Sequence, residues 1–383
     1  MEPRGIPRGA ALKIGLLCDW YLPRRGGIEF HLHDLALQLR QQGHHVDVIT
    51  PTSGDTDIDG VTVRRIRVPL FPFHRFIWTP RAFRQLLPVL RRGEYDVIHC
   101  HVSYISPFAY GGAYLCQKLR FPTVVTFHSF LGIFSNVLSK INHLIHWSEW
   151  PVVFSAVSRK LAADIRAFGV KKVATAPNGV DLAHWRCPAR ALDKNRIQIV
   201  SVMRLCIRKR PDALIKIIAG LRDQIPSHIS VKVKIVGEGY MRGVVEWLIR
   251  RFKLEETVEM LGYQSRSVIQ EVFEHSDIFV LPSILESFGI SALEARCAGL
   301  PVVAMNQGGI GEFIENGRSG FLVGSDREML QRLVQLVCDA DLRLNMNRYN
   351  QENPPIISWT GVVAHHLNLY KAAISKIKLQ TPS

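Results

Sequence analysis

The chain has 383 residues, room for two domains of ordinary size that each bury a core. Hydrophobic residues make up 47% and charged residues 21%, with 28 glycines and 20 prolines, which excludes disordered, collagen-like and low-complexity chains. The formal net charge is +15, and residues 1–180 carry 22 basic against 12 acidic side chains, so the first half is expected to meet something anionic. Seven scattered cysteines without a C-x-x-C pair fit a reduced, cytosolic compartment and offer no zinc or redox motif.

The apolar run ending at Cys18 is interrupted by Lys13 and closed by Asp19, too soon for a signal-peptide core, and reads as a first buried strand. No window approaches the ~20 apolar residues needed to cross a bilayer, because Val124–Leu138 is broken by His128 and small polar residues. Strands are predicted at Lys13–Cys18, Val46–Thr50, Val61–Val68, Val97–His101, Thr123–Phe127 and Val152–Val157, with helices at Phe30–Gln42 and Lys160–Phe168. The pattern restarts with strands at Ile197–Met203, Val231–Gly237, Val258–Leu261, Ile278–Leu281, Pro301–Ala304 and Gly320–Val323. Helices are predicted between them at Asp212–Arg222, Gly243–Phe252, Val268–His275 and Ile290–Ala298. Such alternation predicts an α/β chain of two doubly wound, Rossmann-like domains, 1–180 and 181–355, facing across a cleft. The helical pattern Trp359–Lys376, after Pro354–Pro355, is expected to pack back on the first domain.

Ligands of open α/β sheets bind beyond the carboxyl ends of the strands, so the loops there carry the candidates. After the first strand, Gly26-Gly27 leads into a helix whose first amides favour an anion. After the first strand of the second domain stand Arg204, Arg208, Lys209 and Arg210, cations whose crowding makes sense around phosphate. After Ile278–Leu281 comes Glu286-Ser287-Phe288-Gly289, then Glu294: helix-terminal amides for phosphate, flanked by two carboxylates for hydroxyls. Asp55-Thr56-Asp57-Ile-Asp59 contains an Asp-x-Asp pattern, but its Gly-flanked polar setting reads as a turn. His31/His33 and His99/His101 have i, i+2 spacing without an evident third metal ligand.

In this order, Gly26-Gly27-Ile-Glu29, Asp96-Val-Ile-His99-Cys-His101, Thr126-Phe-His128 and Pro177-Asn178-Gly179-Val-Asp181 are followed by Arg204 with Lys209, Gly237-Glu238-Gly239, Glu286 with Glu294, and Gly308-Gly309-Ile-Gly-Glu312. Together they resemble the retaining glycosyltransferases of family 4, which have the GT-B architecture. The resemblance implies that Arg204 and Lys209 bind the donor diphosphate, Glu294 the ribose and Glu286 the donor-sugar hydroxyls, with the amides of Ser287, Phe288 and Gly289 beside phosphate. It places His128 near the reacting centre, Gly26, Gly27 and Gly237 around the donor, and hexosyl transfer on these groups with the anomeric configuration retained and no metal or other cofactor. One departure stands out: the family usually has Gly where this chain has Arg210, which can crowd the phosphate or add a cation. Nucleotide-sugar epimerases can share the architecture, but the ordered constellation favours transfer, and no nucleic-acid recognition motif accompanies the basic charge.

Residues 61–93 hold eight arginines and no acid, with Phe71, Phe73, Phe76, Ile77 and Trp78. A helix there puts Phe83, Leu86, Leu87 and Leu90 on one face and Arg81, Arg84 and Arg91 on the other, with Pro88 expected to kink or end it. With Arg75 and Trp78 this segment is expected to meet an anionic membrane surface and a lipid acceptor, the alternative being a helix packed on the domain core with its arginine face in solvent. Thr126-Phe-His128-Ser129-Phe-Leu-Gly132 and the Asp19–His31 region are locally similar to phosphatidylinositol glycosyltransferases, which favours a UDP-sugar donor and a lipid or lipid-linked acceptor at the cytoplasmic face over the alternatives, a GDP-mannose donor or a soluble or polysaccharide acceptor.

Overall fold

The computed structural model describes residues 11–66, 80–130, 132, 135–188 and 193–379. They form two compact units, one of the described residues up to 179 with 359–379 and one of those from 180 to 358.

The N-terminal unit is built on β1 (Lys13–Cys18), α1 (Gly27–Gln41), β2 (His45–Thr50), β3 (Asp57–Ile58), β4 (Val61–Arg65), α2 (Pro80–Arg92), β5 (Val97–Val102), α3 (Pro107–Lys118), β6 (Thr123–Phe127), α4 (Ser135–Ile145), β7 (Val153–Ala156), α5 (Arg159–Ala167) and β8 (Val173–Thr175). Its sheet runs β3-β4-β2-β1-β5-β6-β7-β8, parallel except for the β3/β4 hairpin. The central strands β5 and β6 are buried along their whole length, so His99 and His101 of β5 and Thr123 and Thr126 of β6 lie inside with the apolar residues. The strand order reverses between β1 and β5.

The C-terminal unit contains α6 (Leu182–Trp185), β9 (Arg196–Val202), α7 (Pro211–Arg222), β10 (Ser230–Val236), α8 (Arg242–Arg251), β11 (Val258–Gly262), α9 (Arg266–Glu274), β12 (Ile278–Leu281), α10 (Ile290–Cys297), β13 (Val302–Met305), β14 (Gly320–Val323), α11 (Asp326–Cys338) and α12 (Ala340–Glu352). The order β11-β10-β9-β12-β13-β14 is all parallel and reverses between β9 and β12, the doubly wound arrangement that opens a crevice at that point. The last helix, α13 (Trp359–Lys378), belongs to the N-terminal unit and buries Val362, Val363, His366, Leu369, Tyr370 and Ala373 there.

Three expectations are corrected. The helix of the arginine-rich segment runs through Pro88 to Arg92: proline at the ninth of thirteen positions removes one amide donor, and the turn beyond it still closes, Gly93 N donating to Val89 O at 2.9 Å. The apolar face of α2 is also spent inside the protein, since Leu86 and Leu90 are fully buried and Phe83 lies against Gly111 of α3. The strand read as Val61–Val68 closes at Arg65, and residues 67 and 68 lie outside the described ones.

Candidate functional site

In the C-terminal unit the chemistry gathers where β9 and β12 end side by side. Arg204 lies two residues beyond β9, and a single 3-10 turn, Ile207–Lys209, carries Lys209. The loop after β10 supports this backbone from behind: Leu205 N donates to Glu238 O at 2.9 Å, and Met241 N donates to Leu205 O at 3.1 Å. Gly237 has φ +133°, and a Cβ there would sit 1.9 Å from the carbonyl oxygen of Met203, so only glycine permits the approach. Gly237 therefore shapes the loop that bears Arg204.

Across from it, Lys209 Nζ donates to Glu286 Oε2, bringing together a cation and a carboxylate that lie 77 residues apart. The Glu286 backbone is pinned by Gly309 N, which donates to its carbonyl at 2.8 Å. Gly289, at φ +89°, is the N-cap of α10, so Ser287–Gly289 precede that helix as its sequence predicts. The Phe288 ring is buried against Phe313, which leaves its backbone as the part a ligand can use. Glu294 is the fifth residue of α10 and is buried.

Arg210, which stands where the family usually has glycine, is held by the protein itself. Its backbone is left-handed at φ +53°, a conformation glycine adopts freely and an L-residue at a cost of about 1–2 kcal/mol. Its guanidinium turns to Asp326 at the start of α11, donating at 2.9 and 2.6 Å, and to the carbonyl of Pro282 at 3.1 Å. The side chain ties the Lys209 turn to the end of β12 and is committed to that carboxylate.

In the N-terminal unit, Asp19 at the end of β1 is buried and accepts from Phe108 N at 2.9 Å and Ala109 N at 3.0 Å, the first amides of α3. Burial pushes its carboxyl up to about 7 although both amides favour the charged form. Gly26 is the N-cap of α1, and Glu29 in the first turn pairs with Arg24 at 3.4 Å.

His128 follows β6 and is buried; its amide donates to Val102 O at 2.8 Å. Its Nε2 lies 2.9 Å from Nδ1 of His101, whose ring centroid is 3.9 Å from that of His99. His99 in turn reaches Tyr370 Oη of α13 at 3.0 Å and Thr126 Oγ1 at 2.6 Å. His366 and Trp359 of α13 complete the cluster, the indole stacked 5.3 Å from His31. Burial, with help from neighbouring imidazoles, pushes His128 down to about 3 and His366 to about 4, and holds His99 and His101 well below the usual range. The rings are thus neutral at neutral pH. The His99/His101 spacing was visible in the sequence; the joining of His128 and α13 was not.

Asp57 accepts from Gly60 N at 3.0 Å, making the turn its setting predicts, and Asp59 pairs with His33 at 2.9 Å. Among the described residues, no group of three or more His, Cys, Asp or Glu is placed to hold a metal, and no helix is long and apolar enough to cross a membrane. Arg84 and Arg91 are exposed on α2. Arg81 is described only as helix backbone, and Arg75 and Trp78 lie outside the described residues.

Residues 25–184 match the family described as Glycosyltransferase Family 4, and residues 188–353 match Glycosyl transferases group 1. An uncharacterized glycosyltransferase of Methanocaldococcus jannaschii is 28% identical over 95% of this chain and 99% of its own. The phosphatidylinositol N-acetylglucosaminyltransferase gpi3 subunit of Schizosaccharomyces pombe is 26% identical over 95% and 82%. In fold, the sucrose-phosphate synthase of Thermosynechococcus elongatus superimposes with a TM-score of 0.77 at 19% identity, covering 95% of this chain and 99% of that one. The two matched families between them span both doubly wound units, and the chain belongs with the glycosyltransferases of GT-B fold.

Proposed function

We propose that the protein transfers a hexosyl group from a UDP-sugar, UDP-N-acetylglucosamine or UDP-glucose, to a lipid or lipid-linked acceptor at the cytoplasmic face of a membrane, with retention of anomeric configuration. The observation that carries this reading is the Lys209–Glu286 pair beside Arg204 at the β9/β12 reversal. Its ammonium is chemically suited to a diphosphate and its carboxylate to sugar hydroxyls. Arg204 and Lys209 would oppose charge that grows on the departing diphosphate, a stabilisation greater in the transition state than in the ground state, and would stand where other transferases use a metal. Glu294 would hold the ribose, and His128 would donate to the sugar as a neutral imidazole. No carboxylate is assigned as a covalent nucleophile, so retention would follow from a front-side displacement in which the leaving diphosphate takes the acceptor proton.

The lipid acceptor and the preference for UDP-N-acetylglucosamine draw support from the gpi3 relative, whose name specifies phosphatidylinositol and N-acetylglucosamine. The exposed Arg84 and Arg91 would meet an anionic surface. Calorimetric titration with UDP-N-acetylglucosamine, UDP-glucose and GDP-mannose in EDTA tests the donor side. Tighter binding of a UDP-sugar, weakened about tenfold or more in Lys209→Ala, is the expected result. A preference for GDP-mannose would overturn the donor assignment, and absence of nucleotide binding would overturn the site.

A further inference from the structure

The hydrogen bond between His101 Nδ1 and His128 Nε2 needs one proton between two nitrogens, and the structure constrains which ring supplies it. Two neutral arrangements exist. If His128 donates from Nε2, then His101 carries its own hydrogen on Nε2, and that nitrogen is buried without a hydrogen-bond partner. If His101 donates from Nδ1, its Nε2 is instead a bare acceptor in the same buried place. Orphaned buried N–H donors are rarer than buried acceptors left without a donor, so the second arrangement is favoured. A doubly protonated His101 would bury a charge among His31, His99, His128 and His366, with the orphan donor still present.

We propose that His101 is a positioning residue: by donating from Nδ1 to His128 Nε2 it locks His128 in the tautomer with hydrogen on Nδ1. The reacting-centre histidine then presents a hydrogen-bond donor, suited to a sugar or phosphate oxygen and unable to act as a base at that nitrogen. The inference rests on the reading of His128 as a sugar-contacting residue in the proposed transfer. The tautomer itself can be read in the protein alone, without donor or acceptor, so the two can fail separately. The neighbouring His99 is held by a different set of partners, Tyr370 and Thr126, and offers an internal control.

The test is long-range ¹⁵N–¹H correlation NMR of the full chain labelled at histidine, with the His128 signals assigned by their loss in His128→Gln. In the unsubstituted protein His128 should show a pyrrole-type Nδ1 and a pyridine-type Nε2. In His101→Leu the pattern should shift toward the Nε2-protonated form, and kcat should fall about tenfold while the donor Kd changes less than twofold. His101→Asn, which can donate from nearly the same place, should recover part of the original spectrum and rate. Tyr370→Phe, which breaks only the bond to His99, should leave the His128 spectrum unchanged. A pyridine-type Nδ1 at His128 in the unsubstituted protein would overturn the proposal whether or not any variant folds. An unchanged His128 spectrum in folded His101→Leu would overturn it equally.

Discussion

Lowering the pH from 7 to 5 should open the N-terminal unit before the C-terminal one. The perturbation acts on buried neutral rings. His128 and His366 stay unprotonated in the folded protein down to about 3 and about 4, whereas in an unfolded chain a histidine takes a proton below about 6.5. The unfolded state therefore binds more protons across this window, and stability falls as pH falls. At about 1.4 kcal/mol per pH unit, each ring removes roughly 2 kcal/mol by pH 5, about 4 kcal/mol for the two. His99 and His101, also pushed down by burial, act in the same direction. Asp19 opposes them: raised to about 7, its carboxyl is protonated in the folded protein and ionised in the unfolded chain at pH 5, which returns about 2 kcal/mol. The balance is a net loss of about 2 kcal/mol or more, from a stability of roughly 5–15 kcal/mol typical of domains, and all of these groups lie in the N-terminal unit. Hydrogen exchange followed by mass spectrometry, corrected for the intrinsic pH dependence of amide exchange, should show β5, β6 and α13 losing protection while β9 and β12 keep theirs. Equal protection of β5 and α13 at both pH values, or earlier opening of the C-terminal unit, would refute the reasoning.

Substitutions at three places probe the remaining claims. Glu286→Ala should lower transfer by about a hundredfold or more while circular dichroism and the melting temperature report an intact fold; full activity would remove the site assignment. Arg210→Ala keeps the left-handed backbone and loses the fork to Asp326, whereas Arg210→Gly loses the fork but relieves the backbone. Urea unfolding should thus find the glycine variant about 1 kcal/mol more stable than the alanine variant, and equal stabilities would contradict the φ of +53°. Arg84→Gln with Arg91→Gln should weaken sedimentation with anionic vesicles about thirtyfold, at ~1 kcal/mol per charge, and unchanged binding would remove α2 from the membrane account.

The sheets were legible because their central strands are buried on both faces: β1, β6, β12 and β13 carry compact apolar runs whose ends are marked by polar residues or proline. The helix α3 leaves no clear signal in the sequence, since Gly111-Gly112 argue against a helix. Tertiary packing supplies what propensity lacks, with the Phe83 ring against Gly111 and Asp19 accepting from the first amides. In the candidate site, Arg204, Lys209 and Glu286 could be anticipated from the strands they follow, because a parallel sheet delivers successive loops to one edge. The engagement of Arg210 by Asp326 joins residues 116 apart, and the contact of His99 with Tyr370 joins residues 271 apart. Neither leaves a local pattern, so geometry alone revealed that the arginine is engaged by a carboxylate and that α13 packs on the histidine cluster.

The most direct test is transfer itself. The purified protein is incubated in EDTA with anionic vesicles containing a cellular lipid extract and, in parallel, labelled UDP-N-acetylglucosamine, UDP-glucose or GDP-mannose. The account predicts label in the lipid phase from a UDP-sugar, joined through the same anomeric configuration as in the donor and absent with Glu286→Ala. No label in lipid from any donor, despite nucleotide binding, would contradict a lipid-directed transferase.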